Sequence, residues 1–454
     1  MILDGRLVAE QRLPPTRDLS ATLQVSRNTV AAAYDLLAAE GYVVGRPGSG
    51  TFVADFVPAP DPEAARRPTE PGPTPREMWR VLHGPAGVSG EPARYDFRPG
   101  MPDPRLFPYQ AWRRMVTEEL RATSVGIGAY GDPAGDAGLR RALARHVGAA
   151  RAIPTGPERI IVTNGLQQVL DLVARVFLAA GDVVAVEDPG YRPPRAVFRA
   201  VQASVVGVPV DREGLQVEAL PDGARLVYVT PAHQYPLGVS MSLRRRLELL
   251  AWARARDALI VEDDYDSEFR YAGRQIEPLR ALDAHDRVVY AGSLSKVMLP
   301  SLRLGFCVAP ESLYEAMRAA KFITDWHTAL TMQRALARFI DAGMLARHVR
   351  RVRRIYEQRH HLISHLLHRD LGRWLEVIPS AAGLHVTALL RSGSADDADA
   401  LADAARGAGV DVETLRPACL NGPVAGLIFG YGLIPVEDIP AALSALRSSW
   451  SSTS

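Results

Sequence analysis

The segment Tyr290–Phe306, YAGSLSKVMLPSLRLGF, places Lys296 among apolar and small polar residues. Lys296 and Lys321 are the only lysines, so the other 51 of the 53 basic residues in the sequence are arginines. Wherever a positive charge alone is needed, this chain therefore uses arginine. A primary amine can form a Schiff base with an aldehyde, which a guanidinium cannot. The amine of Lys296 is thus a candidate for covalent chemistry.

Three further residues of this segment can hold a phosphate group beside such a Schiff base. Ser293 and Ser295 offer short hydroxyls, and Arg303 offers a planar guanidinium that binds two phosphate oxygens at once. A Schiff-base lysine next to phosphate-binding side chains is typical of a pyridoxal phosphate site. The alternative is a surface lysine in a turn, because short lysine-centred motifs often occur by chance.

Length and composition predict two or three domains. The chain of 454 residues is about three times the usual domain length. Its net charge of +2 is small, so any nucleic-acid surface must be local. Cys307 and Cys419 are far apart and the histidines do not cluster, which argues against a disulfide framework or a metal site. No apolar run approaches the roughly 18 residues of a membrane helix, and we expect a cytoplasmic protein.

Residues 1–55 have the pattern of a winged helix-turn-helix. Thr16 and Ser26 are expected to cap two short helices, and a glycine-rich hairpin follows them. The second helix of such a unit enters the major groove of double-stranded DNA, and its first turn here has four hydrogen-bonding side chains and no acid. The alternative is a small helical domain with a polar first turn. The predicted elements are helices 16–23 and 26–40 and strands 42–44 and 51–53, and the predicted DNA contacts are Arg17, Ser26, Arg27, Asn28, Thr29 and Arg46.

Residues 56–94 are predicted to be a linker. Seven prolines lie between Pro58 and Pro75, and such a run cannot propagate a helix or a strand. A semi-extended spacer of this length reaches roughly 120 Å at about 3.1 Å per residue.

Beyond the linker, short β-branched runs alternate with helical patterns, which predicts an α/β domain around a mostly parallel sheet. Ligands bind at the carboxyl ends of the strands in such sheets. Gly165 opens a helix there whose N-terminus attracts phosphate, Tyr191 offers an aromatic ring, and Asp263 and Tyr265 offer a carboxylate and a phenol to a pyridine ring. Each alone is a common turn or loop sequence, and their joint occurrence ahead of Lys296 favours a binding site. The predicted strands are 159–163, 183–187, 204–208, 226–230, 259–263, 288–291 and 304–308, and the predicted helices include 166–180 and 243–256.

Two stretches resemble known families. Residues 13–53, LPPTRDLSATLQVSRNTVAAAYDLLAAEGYVVGRPGSGTFV, resemble the GntR winged-helix domain. Family members carry a full helix ahead of this stretch, and only Met1–Arg6 precede Leu7 here, so we expect that first helix to be truncated. Residues 95–450 resemble the fold-type I aminotransferases, and the joined chain is similar to the MocR/GabR-type regulators. This resemblance implies a large cofactor-binding domain at 95–325 and a smaller C-terminal α+β domain at 326–454.

The resemblance also implies roles for individual residues. Lys296 would carry the Schiff base, Asp263 would hold the pyridine nitrogen, and Tyr265 would contact the ring hydroxyl. Tyr191 would stack on the ring, and His233 or Gln234 would lie near the ring oxygen. Tyr130 matches a tyrosine that reaches the phosphate of the partner subunit, which implies a homodimer with shared sites. The implied phosphate contacts are Gly165, Leu166 through its backbone, Gln167, Ser293, Ser295 and Arg303.

One departure from the aminotransferases affects the expected function. Their C-terminal arginine, which clamps the substrate carboxylate, is missing from the segment 427–433, LIFGYGL. Whether Arg192, Arg195 or Arg416 replaces it is left open, and His385 is expected to be a packed core residue. We therefore expect a regulator that senses pyridoxal phosphate, alone or with an amine or amino acid, and no catalytic residue beyond the Schiff-base lysine. The alternative is an active aminotransferase with an appended DNA-binding domain.

Overall fold

The protein is described by a computed structural model, which covers residues 1–3, 5–55, 73–81, 93–121, 129–273 and 276–451. The chain divides into two units, Met1–His83 and Gly84–Ser454. Within these ranges, no helix combines the length and the apolar character that crossing a lipid bilayer requires.

The first unit contains the predicted helices and hairpin: α1 (Thr16–Leu23), α2 (Arg27–Ala39), β1 (Val43–Arg46) and β2 (Gly50–Val53). Ser26 caps α2, because its Oγ accepts a 3.1 Å hydrogen bond from the backbone N–H of Thr29. The expectation that Thr16 caps α1 is wrong: Pro15 occupies the N-cap position and Thr16 is already helical. A small core closes the unit, formed by Leu13, Val30, Tyr34, Val43 and Val53.

A short helix, α3 (Glu77–Val81), interrupts the segment that was expected to contain neither helix nor strand. The sequence between Pro75 and Pro85 has no proline, so nothing in it prevents one helical turn. Glu77 in the first turn and Arg80 in the last complement the helix dipole and form an ion pair of 3.2 Å. The remainder of the predicted linker at 56–72 and 82–92 lies outside the described residues.

The larger part of the second unit is built on an eight-stranded sheet. Its elements are β3 (Tyr95–Asp96), α4 (Tyr109–Glu119), α5 (Ala137–Arg151), β4 (Ile160–Thr163), α6 (Leu166–Phe177), β5 (Val183–Asp188), α7 (Pro193–Ala200), β6 (Ser204–Asp211), β7 (Gly214–Leu215), β8 (Ala224–Val229), α8 (Leu243–Ala255), β9 (Leu259–Asp264), α9 (Leu279–Leu282), β10 (Val288–Ser293), β11 (Gly305–Val308) and α10 (Glu311–Asp325). The strand order is β4-β11-β10-β9-β8-β5-β6-β7. The five strands from β10 to β6 are parallel, while β11 and β7 are antiparallel to their neighbours. The predicted mostly parallel α/β sheet is confirmed.

Residues of the central strands alternate between the two faces of the sheet. In β9, Leu259 and Val261 pack with α6 residues in one cluster, while Ile260 packs with Leu249 of α8 in another. Helices therefore cover both faces, and every residue of β9 is buried. Because side chains alternate along a strand, Asp263 lies on the same face as Leu259 and Val261, and Asp264 lies on the opposite face.

A second, antiparallel sheet with the order β12-β13-β16-β15 follows in the chain. The elements of this part are α11 (Leu330–Asp341), α12 (Met344–Leu371), β12 (Leu375–Val377), β13 (His385–Leu390), α13 (Ala395–Gly407), β14 (Val410–Asp411), β15 (Glu413–Thr414), β16 (Gly426–Gly430) and α14 (Ile439–Ser451). β14 pairs in parallel with β3, so the chain just after the predicted linker contacts this C-terminal part. The domain boundary expected near residue 325 stays a prediction.

Candidate functional site

A cavity of about 440 Å³ lies at the carboxyl ends of the parallel strands. Thr230 follows β8, Asp263 is the penultimate residue of β9 and Ser293 ends β10, so polar side chains from three neighbouring strands meet at this cavity. Nine of the residues predicted to bind the cofactor line this cavity: Leu166, Gln167, Tyr191, Asp263, Tyr265, Ser293, Ser295, Lys296 and Arg303.

Lys296 is the lysine of the cavity. Its Nζ donates a 2.6 Å hydrogen bond to the backbone oxygen of Gly100, and burial lowers its pKa while Asp266 and Asp263 raise it. Lys321 is buried elsewhere, where it forms a 2.8 Å ion pair with Asp325. A lysine with a depressed pKa is a better nucleophile near neutral pH. Of the two lysines in the sequence, only Lys296 is placed to react with a ligand of the cavity.

Only one of the two carboxylate oxygens of Asp263 has a hydrogen-bond partner in the described structure. Its Oδ2 accepts a 2.6 Å hydrogen bond from the hydroxyl of Tyr228, while its buried Oδ1 has no partner within the described structure. Burial raises the pKa of Asp263 to about 7, against the opposing effect of the Tyr228 hydrogen bond. A protonated pyridine nitrogen would supply the missing donor and favour the carboxylate.

The other end of the cavity suits a phosphate group. Helix α6 begins at Leu166, directly after Gly165, whose φ of +82° needs glycine. A Cβ on Gly165 would lie 3.3 Å from both terminal nitrogens of Arg303, so the guanidinium lies close to the start of the helix. Ser293 is held nearby, since its Oγ accepts a 3.2 Å hydrogen bond from the backbone N–H of Ser295. The helix dipole, a guanidinium and hydroxyls thus meet in one place. The residues present fit pyridoxal phosphate.

Tyr265 lines the cavity, but His233 and Gln234 do not. The Tyr265 hydroxyl donates to the backbone oxygen of His233 at 2.9 Å and lies 3.0 Å from its Nδ1. Gln234 is buried, and its Nε2 donates to the backbone oxygens of Pro189 at 2.9 Å and Tyr235 at 2.6 Å. These two residues therefore position neighbours of the cavity and are not part of its described lining, and their expected place near the cofactor ring stays a prediction.

Tyr130 also lies away from the cavity of its own chain. Its side chain is 76% exposed and stacks on Trp326, with ring centroids 4.3 Å apart. The single chain therefore leaves this tyrosine free to meet another molecule.

Several lining residues were not found from the sequence. The described lining also includes Asp266, Thr230, Tyr235 and Gly100. Tyr228 donates a hydrogen bond to the lining residue Asp263. The only sequence signal for Asp266 was its place in the acidic run 262–266, where it reads as one more surface acid. His385, expected in the core, is indeed buried, but it also lines the cavity.

No arginine replaces the missing carboxylate clamp among the described lining residues. Arg195 is buried and donates to the backbone oxygens of Gly190 and Ala418. Arg416 pairs with Asp396 and Asp399, outside the cavity. Arg192 is exposed and does not line the cavity. Lys296 and Arg303 are the only cationic side chains in the described lining.

The predicted DNA contacts of the first unit fall into two groups. Arg17, Arg27 and Asn28 are exposed. The hydroxyls of Ser26 and Thr29 are hydrogen-bonded to each other at 2.8 Å as part of the cap of α2. Arg46 is exposed in the hairpin and forms a 2.5 Å ion pair with Glu10. Arg27 and Asn28 are therefore the side chains of the helix start that are free to meet bases.

Comparison with known proteins covers nearly the whole chain. Residues 1–53 match the family of bacterial regulatory proteins, gntR family, and residues 102–415 match aminotransferase class I and II. The chain is 38% identical over 454 residues to the probable rhizopine catabolism regulatory protein MocR of Rhizobium meliloti, covering 99% of this chain and 91% of that one. It is 33% identical to the pyridoxine biosynthesis transcriptional regulator PdxR of Corynebacterium glutamicum, covering 95% and 89%.

The solved structures that resemble this chain include several aminotransferases. A multiple substrate aminotransferase from Thermococcus profundus superposes with a TM-score of 0.75 at 27% identity, covering 82% of this chain and 96% of that one. Kynurenine aminotransferase from Pyrococcus horikoshii gives 0.73 at 27% identity, covering 79% and 91%. The gntR match, the aminotransferase match and the full-length likeness to MocR and PdxR agree with one another. The chain belongs to the MocR-type transcriptional regulators, in which a GntR winged helix-turn-helix is joined to an aminotransferase class I and II domain.

Proposed function

We propose that this regulator binds pyridoxal phosphate at Lys296 and that the bound cofactor, alone or with an amine, changes its affinity for DNA. The observation that carries the proposal is the cavity of about 440 Å³ in which Lys296 and the unpartnered Oδ1 of Asp263 occur together. When bound, the cofactor supplies an electrophilic carbon that can join reversibly to an amine. The PdxR relative, named for pyridoxine biosynthesis, gives independent support.

The residues of the cavity would divide the binding among them. Lys296 would attach the cofactor, Asp263 would hold a proton on the ring nitrogen, and Tyr191 would lie against the ring. Arg303, with the start of α6, would bind the phosphate. Each of these side chains lines the cavity already, so binding needs no new arrangement of the strands.

The winged helix would read an operator in double-stranded DNA, and the protein would act in the cytoplasm. Arg27 and Asn28 would meet base edges in the major groove, and Arg17 would meet phosphate. Arg46 would contact a DNA phosphate after its ion pair with Glu10 breaks.

The protein would act as a homodimer. Tyr130 and Trp326 form an exposed stacked pair, and Phe322 and Ile323 next to them are 47% and 78% exposed. A cluster of large exposed apolar side chains is typical of a protein–protein interface. A two-fold pair of winged helices would read two related half-sites.

The experiment is DNA footprinting upstream of the protein's own gene with and without pyridoxal phosphate, followed by assays for turnover of common α-amino acids. We expect a protected site whose occupancy depends on the cofactor, and little or no turnover, because the described lining of the cavity has no second arginine for a carboxylate. Efficient multiple turnover would favour an active aminotransferase with an appended DNA-binding domain. A footprint indifferent to the cofactor would remove the proposed switch.

A further inference from the structure

One wall of the cavity is a cluster of hydrogen-bonding groups behind Lys296. Asp266 and His385 line the cavity, and His233 lies directly behind them. Asp266 Oδ2 is 3.0 Å from Nδ1 of His233, whose Nε2 is 3.2 Å from the hydroxyl of Ser380. The cluster is held from several elements, because Asp266 follows β9, His233 follows β8 and His385 begins β13. The strands next to these residues therefore fix the positions of the cluster in the cavity wall.

This wall presents hydrogen-bond acceptors. Asp266 is only 1% exposed, and its Oδ1 has no hydrogen-bond partner in the described structure. His385 Nε2 lies 2.9 Å from the backbone oxygen of Pro236, which can only accept, so Nε2 carries the proton. Burial lowers the pKa of His385 to about 3, so the ring is neutral and its Nδ1 is an acceptor. An unpaired buried carboxylate oxygen is costly unless a donor reaches it.

Asp266 is the acidic side chain of the described lining that has no cationic partner once the cofactor is bound. Arg303 would bind the cofactor phosphate, and Asp263 would bind the ring nitrogen. Lys296 would be engaged by the cofactor itself until the amine of the effector displaces it, and the freed Nζ would then return to the backbone oxygen of Gly100, to which it donates in this structure. No other cation lines this part of the cavity as described. In the segment 427–433, where aminotransferases place their clamp, Phe429 and Tyr431 are fully buried, and Gly430 pairs with His385 across the sheet.

We propose that the small-molecule effector of this regulator is an amine without an acid group, whose far end carries an ammonium or hydroxyl donor that binds Asp266 and His385. The proposal rests on the proposed function, because it describes the ligand that meets the cofactor at Lys296. An α-amino acid would bring its carboxylate next to Asp266 with no cation to receive it. Above the pKa of Asp266, which burial raises to about 8, like charges in this low-dielectric cavity repel strongly, so the same wall that binds an amine excludes an acid.

The test compares matched pairs that differ by one carboxylate: putrescine with ornithine, and ethanolamine with serine. Binding to the full-length protein loaded with pyridoxal phosphate is measured above the pKa of Asp266, where its carboxyl is ionised, by calorimetry and by the change in the visible absorbance of the lysine-bound cofactor. We expect each amine to bind at least tenfold more tightly than its amino acid. Asp266→Asn, which keeps the shape of the side chain, should weaken putrescine binding at least tenfold. Asp171→Asn on the outer side of α6 is the matched control and should change nothing.

The outcomes separate the two proposals. If no cofactor attaches to Lys296, the proposed function fails, whatever the effector is. If the cofactor attaches but the amino acids bind as well as the amines, or none of the amines binds, the inference about the effector is overturned. Equal putrescine affinity in Asp266→Asn and in the unchanged protein overturns the role given to Asp266.

Discussion

Tyr228 donates a 2.6 Å hydrogen bond to Oδ2 of Asp263 across two neighbouring parallel strands. On the opposite face of the sheet, Tyr290 of the next strand donates a bond of the same length to Oδ2 of Asp264. The two phenols thus hold two adjacent carboxylates, of which only Asp263 lines the cavity. The pair offers a test of the cofactor site with a control built into the same sheet.

Tyr228→Phe should weaken pyridoxal phosphate binding about 10- to 100-fold, because a hydrogen bond to a charged group contributes about 1.5–3 kcal/mol. The Tyr228 hydroxyl lowers the pKa of Asp263, so its removal leaves less carboxylate to hold the ring nitrogen. Affinity is measured by titrating the unloaded protein with cofactor and following its absorbance. Tyr290→Phe removes the corresponding hydroxyl from Asp264 and should leave the affinity within a few-fold. An equal loss in both variants would show a general effect on the sheet.

Lys296→Ala should abolish covalent attachment of the cofactor. Borohydride reduction followed by peptide mass spectrometry should find the label on Lys296 in the unchanged protein and no label in the variant. Lys321→Met is the matched control, because Lys321 is paired with Asp325 and does not line the cavity. It should retain the label. A label that persists in Lys296→Ala would show that the cofactor attaches to another amine.

Arg27→Ala should weaken operator binding by about 1–3 kcal/mol, the range for a lost base contact, and leave cofactor absorbance unchanged. Arg27 is exposed at the first position of α2, whereas the hydroxyls of Ser26 and Thr29 are already engaged in the helix cap. Fluorescence anisotropy at fixed salt measures the affinity. Arg175→Ala, at an exposed arginine of α6, is the control for loss of one positive charge. Unchanged affinity in Arg27→Ala would remove this residue from the DNA-reading surface.

Putrescine binding should strengthen as the pH rises from 6 to 8. Burial raises the pKa of Asp266 to about 8; Lys296 and Arg151 oppose this shift and Asp264 adds to it, while His233 and His385 are held neutral by their own burial. An ammonium favours the carboxylate, so binding releases a proton. The affinity should therefore rise by up to about tenfold per pH unit and level off above pH 8. In Asp266→Asn this slope should be absent, and a slope that persists there would assign the titration to another group.

The strands and the reactive lysine could be predicted because their signals are local. β-branched runs fixed the strands to within a few residues, and the rarity of lysine singled out Lys296. The short helix at Glu77–Val81 was not predicted because the prolines of residues 56–94 indicated an extended segment throughout, although none lies between Pro75 and Pro85. The N-cap of α1 was predicted at Thr16, one residue too late, because Pro15 already occupies that position.

The supporting residues could not be predicted, because their roles depend on contacts between distant elements. Tyr228 reads as a core residue of its strand, and only the register against β9 brings its hydroxyl to Asp263. Asp266 reads as the end of an acidic run until the fold buries it beside His233 and His385. The neighbours that set the charge and hydrogen bonding of these residues are distant in the sequence, so no local pattern indicates them.

The most direct test of the central claim is operator affinity at fixed salt, measured with and without pyridoxal phosphate, for the unchanged protein and for Lys296→Ala. The cofactor can act on DNA binding only through a difference in affinity between two arrangements of the protein, and a tenfold effect corresponds to about 1.4 kcal/mol. We expect the cofactor to change the affinity of the unchanged protein at least tenfold and to leave the variant unaffected. An affinity that does not change when the cofactor is shown to be attached to Lys296, or an equal change in the variant, would contradict the account.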